Sequence, residues 1–148
     1  MDKALDLPFS LTHQVRDACL CLHIQRAARA VARRFDDAFR PLDLTNGQFS
    51  LLMSLNRPVP ASRGSVAALL AMDRTTLTAA LKPLERRGLV RVEVDEADRR
   101  SRVMILTPAG RKLLAAAVPI WKRTHAAVER LLGDSSADQL RADLRALS

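Results

Sequence analysis

Residues 65–88 read SVAALLAMDRTTLTAALKPLERRG. Val66, Ala67, Leu69 and Leu70 form a short apolar run that Ser62 or Ser65 can open, since a hydroxyl accepts from the exposed N–H groups of a first helical turn. Ala71-Met72 leaves room only for a tight turn before Asp73, a second capping residue, and Gly88 closes the segment that starts at Arg74. Two short helices joined so closely read as a helix-turn-helix. In the second, Leu77, Ala80, Leu81 and Leu84 share the face that must pack inward, which turns Thr75, Thr78, Ala79 and Lys82 outward. Pro83 interrupts this helix. It removes the hydrogen bond to the Ala79 carbonyl, normally costs ~3 kcal/mol, and predicts a kink between the outward-facing turn and residues 84–87.

Downstream, Leu89-Val90-Arg91-Val92-Glu93-Val94 and Arg102-Val103-Met104-Ile105-Leu106 alternate as strands of one hairpin, the candidate wing. Its tip carries Arg99, Arg100 and Arg102, with Asp98 placed to pair with a neighbouring arginine and stiffen the turn. Thr107-Pro108 is a cap followed by a first-position proline, opening a helix to about residue 132 that Pro119 is expected to kink. Gly133-Asp134-Ser135-Ser136 breaks the pattern before a last amphipathic helix over 137–147. Upstream, Leu20, Ile24, Ala27, Val31, Phe35 and Ala38 predict one long helix over 10–39, with Arg26, Arg29, Arg33 and Arg40 on another face. Thr45 caps a second helix holding Phe49, Leu52, Met53 and Leu55, which Arg57-Pro58-Val59-Pro60 ends.

The composition agrees with this mainly α reading. Of 148 residues, 48% are hydrophobic and only 3% aromatic, a mixture rich in Ala and Leu that favours helices over sandwiches or barrels. A formal charge of +8 makes the surface attractive to polyanions, with nucleic acid first among them. Apolar runs of membrane-spanning length are missing, and the start, with Asp2, Asp6 and Pro8, does not read as a leader, so a cytoplasmic protein is expected. Cys19 and Cys21 point to opposite sides of the expected first helix and cannot bridge to each other.

The outward face of the second short helix has the chemistry of a base reader. Short hydroxyls let a helix approach base edges, a threonine methyl can touch the thymine methyl, and Arg74, Lys82 and Arg86 stand where phosphates or guanines would be met. A rigid basic hairpin tip suits a minor groove, whose negative potential attracts arginine. Val66-Ala67-Ala68-Leu69-Leu70, Asp73-Arg74-Thr75-Thr76-Leu77-Thr78, Leu84-Glu85-Arg86-Arg87-Gly88-Leu89-Val90, and the spacing from Asp98-Arg99-Arg100 to Leu106-Thr107 together resemble the MarR family. The resemblance is strongest over 66–107 and weaker in the terminal helices. It implies a winged helix-turn-helix over 45–107 within one domain of 148 residues, with residues 10–40 and 108–148 as dimerisation helices. It further implies a homodimeric transcriptional regulator, usually a repressor, that binds a near-palindromic operator in double-stranded DNA and is released by a small molecule or by oxidation. By the same resemblance Thr75, Thr76, Thr78 and Lys82 face the groove, and Arg100, with Arg99 or Arg102, is the minor-groove contact. An effector pocket would involve His23, Phe49, Met53 and Trp121.

Other chemistry has weaker footing. Cys21 precedes Arg29 by the spacing seen in organic-hydroperoxide sensors of the family, but the chain contains no Tyr to accompany a reactive thiol, so thiol sensing stands as an alternative. Cys19 and His23 lie one helical turn apart without the further ligands that zinc requires, so no metal or cofactor is expected. Neither a Ser/His/Asp grouping nor a glycine-rich phosphate loop can be assembled, and no catalytic residue is assigned. A winged-helix protein-interaction module is the remaining rival; it would want apolar anchors where Thr75, Thr78 and Lys82 stand.

Overall fold

The structure, a computed structural model, describes residues 7–148; Asp2 and Asp6 lie outside the described residues. Two compact units divide the chain, one ending at Arg34 and the other beginning at Phe35. The helical elements outweigh a small antiparallel sheet, as expected from the composition.

The expected single first helix is two. Helix α1 spans Phe9–Ala18 and α2 spans Leu20–Phe39. Between them Cys19 adopts an extended conformation, φ −70° and ψ 110°, which swings the chain out of the helical path although its N–H still reaches the Val15 carbonyl at 3.0 Å. Cys19 is thus a junction residue and not a member of a continuous helix, and both thiols are free. Neither Pro nor Gly marks the break, so nothing in residues 17–21 announces it.

The second unit opens with the end of α2, a 3₁₀ turn over Arg40–Leu42 and then α3, Asn46–Ser54. Thr45 caps α3 in a reciprocal box with Gln48, each side chain bonded to the other's backbone N–H at 3.1 Å. The Asp36 carboxylate receives both the backbone and side-chain N–H of Asn46 at 2.7 Å, which fixes the end of α2 against the start of α3 and holds Asp36 below the usual carboxylate range.

A two-residue strand β1, Ala61–Ser62, which the sequence reading did not include, leads directly into the expected short helix α4, Arg63–Leu69. Ser62 is the cap: its hydroxyl accepts from the Ser65 N–H at 3.2 Å, and the Ser65 hydroxyl donates back to the Ser62 carbonyl at 2.9 Å. Ala71 makes the tight turn at φ 50°, a left-handed conformation that costs a residue with a Cβ about 1–2 kcal/mol. Helix α5, Arg74–Arg86, follows, and runs unbroken through Pro83. Gly88 takes φ 69° at its end, freely available to glycine.

Strands β2, Val90–Val94, and β3, Arg102–Leu106, pair antiparallel, with Val90 opposite Leu106 and Val94 opposite Arg102. Strand β1 pairs with β3 on its other side, Ala61 opposite Met104, giving the order β1-β3-β2. Helix α6, Pro108–Arg130, continues through Pro119, and α7, Ala137–Ala146, starts from a Ser136 cap.

One core lies within the second unit, built from residues between Phe39 and Ala117. Phe39, Leu52, Leu77, Leu81, Leu84, Met104 and Leu106 are almost fully buried, each worth roughly 1.5–3 kcal/mol of transfer free energy. Helix α6 comes so close to the hairpin at Gly110 that a Cβ there would lie 2.2 Å from the Leu89 carbonyl oxygen. Thr107 fastens the same corner: its hydroxyl donates to the Gly88 carbonyl at 2.6 Å and accepts from the Gly110 N–H at 3.0 Å. The base of the hairpin is therefore set rigidly against the end of α5. Among the described residues, no helix is long and apolar enough to cross a membrane.

Candidate nucleic-acid interface

Helix α5 is divided as its periodicity requires. Leu77, Leu81 and Leu84 are buried and Ala80 packs beside them, while Arg74, Thr75, Thr76, Ala79, Lys82 and Arg86 are exposed and Thr78 is half-buried. The outward surface carries no large apolar side chain, the anchor a protein-interaction module would need.

Asp73 sets the start of this helix. Its carboxylate accepts the Thr76 N–H at 2.8 Å and the Thr76 hydroxyl at 2.7 Å, and these two bonds hold its carboxyl below the usual range. Thr76 therefore spends its hydroxyl on the cap, whereas Thr75 and Thr78 keep theirs outside the capping network. At the other end, Arg87 donates to the carbonyls of Asp43 at 2.6 Å and Leu42 at 3.3 Å, tying α5 to the turn before α3.

The wing tip is ordered by Asp98, though not through the expected pairing with a guanidinium. Its carboxylate accepts the backbone N–H of Arg100 at 3.1 Å and the Ser101 hydroxyl at 3.2 Å, and its carbonyl accepts the Ser101 N–H at 2.8 Å. A short acidic side chain reaches the N–H two residues on more readily than it reaches a guanidinium at the end of a long stem. The arginines are thereby left to project. Among the described residues neither Arg99 nor Arg100 forms an ion pair, and the Arg102 guanidinium touches only the carbonyls of Ser101 at 3.3 Å and Arg99 at 3.5 Å.

Helix and wing meet around one cleft of about 310 Å³, whose walls include Arg63, Gly64, Arg74, Thr78, Arg100 and Arg102 and no carboxylate. Four of the sequence-derived residues, Arg74, Thr78, Arg100 and Arg102, thus converge. Thr75, Thr76, Lys82, Arg86 and Arg99 lie outside it. Arg63 was not singled out from the sequence; the available signal was a cation at the first position of a helix, where the peptide dipoles disfavour positive charge.

The arrangement of helix, turn, helix and wing has close counterparts. A family model described as the MarR family matches residues 44–101. The transcriptional regulator HosA of Escherichia coli O157:H7 is 35% identical over 97 residues, covering 66% of this chain and 70% of that protein. The chain belongs to the MarR family. This MarR chain superposes on the M. tuberculosis regulator MosR in complex with DNA with a TM-score of 0.79 and 38% identity, covering 87% of this chain and 92% of MosR. A structure of Bordetella bronchiseptica BpsR, whose DNA binding is regulated by 6-hydroxynicotinic acid, matches with a TM-score of 0.72 and 26% identity over 88% of this chain and 91% of BpsR. The MarR chain is accordingly a winged helix-turn-helix, DNA-binding regulator of transcription.

Of the expected effector residues, Phe49, Met53 and Trp121 line one concavity of about 470 Å³ with Ser50, Ser54 and Leu69. Trp121 stacks on Phe49 at 6.4 Å and on His125 at 4.9 Å, so the wall is an aromatic ladder with few polar groups. His23 is the fourth expected residue. It belongs to the first unit, where its Nδ1 is turned back onto the Cys19 carbonyl oxygen at 2.8 Å. Cys21, in the same unit, is exposed and its Sγ accepts from the Gln25 amide at 3.2 Å. Among the described residues, no group of three or more acidic, His or Cys side chains could hold a metal.

Proposed function

We propose that the chain is a sequence-specific repressor that acts as a homodimer in the cytoplasm, without enzymatic activity, and is released from a near-palindromic operator by a small molecule. The observation that carries this reading is the convergence of Thr78 and Arg74 from α5 with Arg100 and Arg102 from the wing around one basic cleft. Thr75, Thr78 and Lys82 then read base edges in the major groove, Arg74 and Arg86 meet phosphates or guanines, and Arg99, Arg100 and Arg102 serve the minor groove. Asp98 keeps the tip in shape. Apolar residues left open at both ends support dimerisation: Phe9 at 71% exposure and Leu20 at 68% in the first unit, Leu131 and Leu147 at 62% in the second.

The effector enters at the concavity walled by Phe49, Met53 and Trp121, which suits a flat, weakly polar molecule stacked on Trp121, with Ser50 and Ser54 as its hydrogen-bonding partners. Regulation of BpsR by 6-hydroxynicotinic acid supports an aromatic acid as the first class to try. A second reading, thiol sensing, is favoured by the exposure of Cys21, which an oxidant can reach.

Selection of bound fragments from genomic DNA, repeated with aromatic acids and with peroxide, tests both readings. Expected is an inverted-repeat consensus whose recovery falls when the effector is added. Enrichment of no sequence would defeat the sequence-specific reading, and peroxide release that persists in Cys21→Ser would remove thiol sensing through Cys21.

A further inference from the structure

We propose that Arg63 is a positioning residue for DNA: with Arg74, Arg100 and Arg102 it seats one backbone phosphodiester in the cleft between α4, α5 and the wing. The inference rests on the DNA-binding reading and adds to it a residue and a ligand group. Four arginines wall the cleft without a carboxylate among them, so the protein itself supplies no counter-charge there and the cleft suits an anion from outside. The Arg63 Nε–H is buried without an acceptor, whereas buried donors are nearly always paired. A Cβ on Gly64 would lie 4.0 Å from the Arg74 Nη2, an ordinary contact, which places that guanidinium beside the first turn of α4.

The position of the cleft selects the anion. A reading helix in the major groove and a wing tip in the adjoining minor groove straddle the sugar-phosphate strand that separates the two grooves. The space between α5 and the wing is where that strand passes. A tetrahedral phosphate accepts from several guanidinium forks at once, which a single protein carboxylate cannot do for four arginines. Seating it would set how deeply the wing reaches while α5 reads bases, without itself distinguishing one base from another.

The test compares wild type, Arg63→Gln and Arg63→Lys on an operator duplex and on a random duplex across salt concentrations. Arg63→Gln is expected to weaken both complexes roughly tenfold, in line with losing a charged hydrogen bond, and to leave the ratio between them unchanged. The homodimer carries two copies of Arg63, so the salt slope of Arg63→Gln should be shallower by up to about 1.8, one phosphate's worth per half-site, while Arg63→Lys keeps the slope. Replacing single phosphates by neutral methylphosphonates in the operator supplies a second readout: one position in each half-site, on the strand between the two contacted grooves, should weaken wild type more than Arg63→Gln.

Equal binding by wild type and Arg63→Gln would overturn the proposal, as would a changed sequence preference or the lack of any such methylphosphonate position. If inorganic phosphate binds wild type but not Arg63→Gln while duplex affinity is the same in both, the cleft serves a free anion and the proposal fails. A wild-type chain that binds no duplex at all would overturn the DNA-binding reading itself, an outcome distinct from wild type binding and Arg63→Gln binding equally well.

Discussion

Asp73 shows how much of the interface rests on a single side chain. Its carboxylate holds both the backbone and the hydroxyl of Thr76, and these bonds lower its pKa from the ordinary 3.8. The folded chain therefore binds this proton less tightly than the unfolded chain does. The resulting stabilisation is present above the ordinary value and is lost as pH falls through it towards the depressed folded one. Thermal unfolding of wild type and Asp73→Asn should show wild type ahead at neutral pH and the gap closing below about pH 4. A gap that widens on acidification would contradict this role. Gly110 carries a different constraint, since an added methyl would meet the Leu89 carbonyl oxygen at 2.2 Å and the Leu106 Cδ1 at 2.7 Å. Gly110→Ala should cost roughly 1–3 kcal/mol or more in denaturant unfolding, because backbone must move to admit it.

At the scale of elements, α5 poses the sharpest question. A proline inside a helix removes one ladder bond, yet α5 passes through Pro83 and still delivers Leu84 to the core and Arg87 to the carbonyls of Leu42 and Asp43. Pro83→Ala restores the missing donor and should raise the melting temperature while altering operator affinity or sequence preference. Unchanged affinity and preference would show that Pro83 is a tolerated local feature.

What could be read in advance follows from where each element keeps its signal. Thr45, Asp73 and Thr107-Pro108 announce helix starts because capping chemistry is local, and the α5 face is legible because its period is. The break at Cys19 carries no such mark, since an extended residue between two helical runs needs neither Pro nor Gly. Strand β1 is two residues long, too short for alternation to register, and exists because β3 offers it a free edge. The grouping of Arg63 with the wing arginines depends on contacts between distant segments, which spacing along the chain does not encode. Asp98 was recognisable as the residue that orders the tip, but its preference for backbone N–H over a guanidinium became visible only in three dimensions.

For the whole molecule, a charge of +8 and a cleft walled by arginine set long-range attraction to a duplex, while the face of α5 sets what is read. With ~6–10 phosphates neutralised by a dimer, affinity should fall roughly 10³–10⁵-fold between 50 and 200 mM salt. Chemical footprinting of wild type and Arg100→Ala on a selected operator probes helix and wing together. Wild type should protect guanine N7 in two major-groove patches about one helical turn, 34–36 Å, apart, with flanking minor-groove protection that Arg100→Ala alone loses. Protection spread evenly along the duplex, or a footprint that Arg100→Ala leaves intact, would contradict the placement of α5 and the wing on DNA.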